Sequence, residues 1–169
     1  MTPNPTTEHI EQLISRLREP RLTIEAACAL ADHAENQVLT LSEEFPADWE
    51  VKAIADAVCA WLRGDIGTSE ALEQAWRHSH TRRPVQVKSP RRRTYNYCLS
   101  CQLMRMLEEV VEGAPDLLGR VLLIAKYARK TVAIACPLQQ DEGIWQVTYL
   151  ESFLETREHI LNPEIRVTQ

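Results

Sequence analysis

Residues 21–44 read RLTIEAACALADHAENQVLTLSEE. Apolar side chains recur at Ile24, Ala27, Cys28, Ala31, Ala34, Val38 and Leu41, in steps of three and four. Only a helix brings that spacing onto one face, so the segment predicts a long helix from Arg21 to Glu44, ended by Pro46. A helix of this length cannot hide its apolar stripe alone, and the flanking sequence has to supply helices that cover it.

The same period appears on both sides. A short amphipathic helix is expected from Thr7 to about Arg18, stopped by Pro20. After the long helix, Asp48 serves as an N-cap for a helix whose face is Val51, Ile54, Ala55, Val58, Trp61 and Leu62, and Gly64 ends it. Thr68 or Ser69 caps the next helix, with Ala71, Leu72, Ala75 and Trp76 toward the core. Tyr95–Glu112 returns to helix through Leu99, Leu103, Met106, Leu107, Val110 and Val111. Pro115 stands in the first turn of a further helix carrying Leu118, Val121, Leu122, Ala125, Ala128 and Val132, which stops before Pro137. A last helix is expected from about Glu142 to Leu161. Two segments keep a short β alternative open: 85–87, where Val85 and Val87 alternate, and 144–149, whose residues have strand propensity. The expected fold is all-α, one domain over 1–169, a bundle of six or seven helices. Its N-terminal helices cover about 7–81, a basic loop covers 82–93, and C-terminal helices cover about 94–161.

Composition agrees with that reading. Only 5 of 169 residues are glycine, too few for a turn-rich β sandwich, and 44% are hydrophobic, too many for a disordered chain. No run of about 18 apolar residues predicts a membrane span. The start, MTPNPTTEH, lacks the pattern of a signal peptide. Five cysteines without framework spacing suggest free thiols in a reducing compartment, so the expected location is cytoplasmic. The net charge of -5 is uneven. Residues 1–81 carry 14 acidic and 6 basic side chains, residues 82–93 carry 6 basic and none acidic, and residues 94–169 carry 10 acidic and 7 basic.

Few residues point to chemistry. Cys98 and Cys101 form a Cys-x-x-Cys pair, but a second pair is absent, and His78 and His80 fit no zinc-finger spacing. Small thiols packed in a core outweigh a metal centre there, so no metal and no cofactor is expected, with Cys98 and Cys101 as the weak alternative. His33 beside Asp32 reads as a surface or core-edge histidine more than as a catalytic base. No nucleophile elbow, phosphate loop, dinucleotide fingerprint or zinc-protease motif occurs, which makes an enzyme the weaker expectation. Arg82, Arg83, Lys88, Arg91, Arg92 and Arg93, with Tyr95 and Tyr97 alongside, could meet phosphates or an acidic partner. The acidic chain as a whole disfavours nucleic acid. Glu35, Glu43, Glu44 and Asp48 instead form an acidic patch, with Trp49 as the candidate aromatic anchor.

Residues 29–66 read ALADHAENQVLTLSEEFPADWEVKAIADAVCAWLRGDI. This stretch resembles the helical group of immunity proteins of bacterial polymorphic toxin systems. That group starts with an A-x-x-A-E segment and a V-L-x-L-x-E segment, continues through a proline-and-acid turn, and ends in an A-I-x-x-A helix with A-W-x-R-G-E-I. The matching residues include Ala31, Ala34, Glu35, Val38, Leu39, Leu41, Glu43, Pro46, Asp48, Ala53, Ile54, Ala57, Ala60, Trp61, Arg63, Gly64 and Ile66. The likeness extends to residue 80, about a third of the chain. Glu50-Val51-Lys52 departs from it where the family carries a basic Arg-Pro-Arg-like stretch. The resemblance implies a non-catalytic helical protein that neutralises a toxin by stoichiometric binding, its acidic patch facing a basic toxin domain. The alternative is a helical regulator or adaptor using the 82–93 belt.

Overall fold

The computed structural model describes residues 5–41, 51–80, 90–113, 116–135 and 142–161. They form seven helices: α1 (Pro5–Ser15), α2 (Pro20–Leu41), α3 (Val51–Arg63), α4 (Thr68–His80), α5 (Pro90–Glu112), α6 (Leu117–Ala135) and α7 (Glu142–Leu161). No strand occurs among the described residues, so the all-α bundle is the observed architecture. No described helix is long and apolar enough to cross a membrane. Residues 144–149 lie inside α7, which overturns their strand alternative; residues 85–87 fall outside the described residues. Strand propensity at 144–149 yields to packing, because Trp145, Tyr149 and Phe153 recur at helical spacing and meet in one stack.

Among the described residues, prolines stand at helix starts. Pro5, Pro20 and Pro90 each occupy a first helical position, where the missing N–H has no partner to lose and the fixed φ suits the turn. α1 therefore ends at Ser15, before Pro20, and Pro20 opens α2. The same effect shortens the expected basic loop: Arg91, Arg92 and Arg93 belong to the first turns of α5. Thr23 latches the α1–α2 corner, its buried hydroxyl within hydrogen-bonding distance of the Leu17 and Glu19 carbonyls, at 3.1 and 2.9 Å. Gly64, at φ 79°, ends α3. Its N–H reaches the Trp61 carbonyl at 3.0 Å, while Asp65 N–H reaches Ala60 at 2.9 Å, the paired bonds of a left-handed helix stop. Asp116 caps α6, its Oδ1 accepting from Gly119 N–H at 3.2 Å.

α2 is the central element, in contact with α3, α5, α6 and α7. Four neighbours bury more than one stripe: Ala26 and Leu30 are enclosed as fully as Ala27, Ala31 and Ala34. Alanine keeps those surfaces shallow, so α6 can lie close and bring Val121, Ile124, Ala125, Ala128 and Val132 into the same core. α5 adds Leu99, Leu103, Met106 and Leu107, and α1 adds Ile10, Leu13 and Ile14. Two expected core positions face outward. Leu118 is exposed while Leu117 is buried, and Trp76 stands 54% exposed one position beyond Ala75.

Candidate partner-binding surface

The expected acidic patch does not form around Glu35. This side chain is 1% exposed, because α2 is enclosed by four helices and the Glu35 register points between them. Glu43, Glu44, Asp48 and Trp49 lie outside the described residues, as do Arg82, Arg83 and Lys88. Cys98 and Cys101 sit on α5, Cys101 half-buried. No group of three or more His, Cys, Asp or Glu side chains suited to a metal occurs among the described residues.

The most developed polar geometry lies between α2 and α7. His33 Nδ1 is 3.0 Å from Glu142 Oε1, and its Nε2 is 3.4 Å from Gln37 Nε2. The imidazole lies flat on Trp145, with centroids 3.4 Å apart and planes at 1°. Tyr149 stacks next at 5.1 Å, Phe153 follows at 5.6 Å, and the Arg157 guanidinium sits 5.1 Å above Phe153 and pairs with Glu25. One residue every four on α7 thus builds a column that α2 clamps at both ends, through His33 and Glu25. Both imidazole nitrogens of His33 are engaged, as a core-edge histidine requires. Burial pushes the Tyr149 hydroxyl well above its ordinary pKa, so it stays protonated. The column fastens two helices, and it presents no activated nucleophile.

Behind it, Arg129 on α6 donates from Nη1 to Gln146 Oε1 at 2.8 Å, and Gln146 Nε2 donates to the Ala125 carbonyl at 3.1 Å. Arg129 also lines a cavity of about 600 Å³ between α1 and α6, with Ile10, Glu11, Leu122, Lys126 and Lys130. Burial lowers the Arg129 pKa from its usual value, against the pull of Glu11 and Glu142. Its guanidinium therefore faces inward charges as well as the cavity.

A different kind of surface lies between α4 and α5. Leu72 and Trp76, one turn apart on α4, face Met104 on α5 across a hollow of about 350 Å³. Glu73 and Glu108 rim it. Glu73 also pairs with exposed Arg77 at 3.0 Å, and Glu70 accepts from Gln74 at 3.2 Å. The hollow is apolar at its base, acidic at its rim and shallow. That is the form of a contact surface more than of a small-molecule site.

Sequence periodicity missed this hollow because α4 carries two apolar rows. Ala71 and Ala75 form one row and are fully buried, whereas Leu72 and Trp76 form the next. A helix packed chiefly on α3 and α5 among the described residues has room to bury a narrow row of small residues, and the bulkier row is left at the edge. The available signal was the excess of apolar width over what one narrow contact needs. No protein-family model matches the chain, and no curated protein or solved structure matches it either.

Proposed function

We propose that this chain is a non-catalytic, cytoplasmic protein-binding protein that neutralises a basic partner by stoichiometric occupation, like the immunity proteins residues 29–80 resemble. The observation that supports the reading is Trp76, a large aromatic 54% exposed over an apolar hollow with two carboxylates at its rim. Tryptophan concentrates binding energy when a partner covers it, because it loses much water-exposed area at little entropic cost. A lysine or arginine of the partner lays its stem on Leu72 and Met104, holds its charge over the indole, and reaches Glu73 or Glu108. Arg77 gives way easily, since an exposed ion pair is worth only about 0.2–1 kcal/mol. The surrounding carboxylates speed the encounter, and the aromatic contact slows release.

The test uses the full chain as bait in the native cell, followed by purified binding measurements on the captured partner. The expected partner is a basic protein held at one-to-one stoichiometry. Trp76→Ala weakens binding at least tenfold, and Glu73→Lys with Glu108→Lys slows association, while circular dichroism stays that of the wild type. Unchanged binding in both variants sinks the proposal for this surface. Steep salt-dependent binding to DNA or RNA in place of a protein would favour the arginine-belt alternative.

A further inference from the structure

On α6, Leu122, Lys126, Arg129 and Ala133 recur in steps of three and four, which puts them on one face, and Lys130 stands one turn beyond Lys126. On α1 the same spacing aligns Thr7, Ile10 and Glu11. The two faces meet across the cavity of about 600 Å³, a volume within the range of small-molecule sites. Its base is aliphatic: Ile10 and Ala125 are buried there, and Leu122 and Leu123 are half-buried. Lys126, Lys130 and Ala133 are exposed, so the mouth opens to solvent on a basic side. Among the described residues no aromatic ring lines the cavity, and it shares no residue with the α4–α5 hollow.

Arg129 is the positioned charge. Its stem passes the start of α7, where a Cβ added at Gly143 would stand 3.6 Å from Arg129 Cδ and 3.3 Å from Thr6 Cγ2. The bare glycine leaves room for α1 and the arginine to meet α7. Nη1 donates to the fully buried Gln146 at 2.8 Å, which fixes the guanidinium in place. Gln146 is a neutral acceptor. Among the described residues no carboxylate lies within ion-pairing distance of Arg129 or Lys126, and Glu11 and Glu142 act on Arg129 only through space. The guanidinium has thus given up part of its hydration for a neutral amide, and burial lowers its pKa accordingly.

We infer that the α1–α6 cavity binds an aliphatic carboxylate, a medium-chain acyl anion whose carboxylate pairs with Arg129 and Lys126 while its tail lies on Ile10, Leu122, Leu123 and Ala125. The lining sets both halves of that ligand. Three cations against the one carboxylate of Glu11 call for an anion of low charge. With Nη1 held by Gln146, the Nε–Nη2 edge of the guanidinium is left for the two oxygens of a carboxylate. An aliphatic base with no ring to stack on suits a saturated chain over an aromatic acid or a nucleobase, and the phosphates of a nucleotide would crowd Glu11.

The experiment titrates the full chain calorimetrically with octanoate, with octanol as the same tail without the charge, and with inorganic phosphate as a charge without the tail. Octanoate is expected to bind one-to-one with a Kd of about 0.1 mM. Decanoate, longer by two methylenes, binds about tenfold tighter. Octanol and phosphate each bind at least ~10-fold more weakly than octanoate. Arg129→Gln weakens octanoate binding at least ~10-fold. Because Arg129 also holds Gln146, two variants at exposed positions stand beside it, both with the circular dichroism of the wild type. Lys126→Glu weakens octanoate about fivefold, and Ala133→Trp, which closes the mouth, abolishes its binding. No saturable octanoate binding up to about 5 mM overturns the inference. So does octanol binding as tightly as octanoate, or octanoate affinity unchanged in both Lys126→Glu and Ala133→Trp.

Discussion

Replacing Gln146 by leucine keeps the side-chain volume and removes only its polar contacts, which isolates what the amide does between α6 and α7. Gln146 is fully buried, accepts from Arg129 Nη1 at 2.8 Å and donates to the Ala125 carbonyl at 3.1 Å. The neutral bond contributes about 1 kcal/mol, and the bond to a charged donor about 1.5–3 kcal/mol. Leucine also leaves the guanidinium facing an apolar group. The expected destabilisation is therefore about 3 kcal/mol. For a chain of this size that lowers Tm by about 10 °C, at about 2–4 °C per kcal/mol. Equilibrium urea unfolding followed by far-UV circular dichroism measures it, with an unchanged m-value showing that the unfolded state is not the cause. Arg129→Met is then added to the leucine variant. With the stranded charge gone, the double variant should lose at least ~1.5 kcal/mol less than the sum of the singles. A loss under ~0.5 kcal/mol for Gln146→Leu, or additivity within ~0.5 kcal/mol, refutes the reasoning.

Trp145→Ala removes the ring between His33 and Tyr149 and should cost about 3 kcal/mol in urea unfolding, the low end for a large aromatic because Trp145 is half-buried. Trp76→Ala, by contrast, should shift stability by less than ~1 kcal/mol, since that indole is mostly in water. Gly64→Ala should cost about 1 kcal/mol because φ is 79° there, whereas Gly67→Ala, in open space without a positive φ, should stay within ~0.5 kcal/mol. The Arg120 guanidinium hydrogen-bonded to Glu109 holds that carboxyl below its ordinary pKa. Its stabilisation is complete above the ordinary value of about 4.3 and fades as pH falls through the lowered one. Acid unfolding of Arg120→Gln should accordingly show a shallower dependence on pH below about 4.

The helices were legible because their signals are local. The three-and-four spacing in 21–44, Gly64 after Leu62 and Arg63, and the limits of 142–161 all depend on residues within a turn or two of one another. Proline was harder, because a ring that cannot continue a helix is equally suited to begin one; the chain uses Pro20 and Pro90 in the second sense. The candidate surface was hardest. Glu35 reads as a surface acid on an amphipathic helix, and only the number of helices around α2 turns it inward.

The sequence by itself determined the fold class, most of the helices and the absence of the familiar catalytic motifs, because periodicity, caps and motifs are written along the chain. Tertiary structure alone decided which apolar row of α4 is covered and which acid is buried. Both turn on how the helices surround one another, with α2 meeting four of them, and that is a property of the packing.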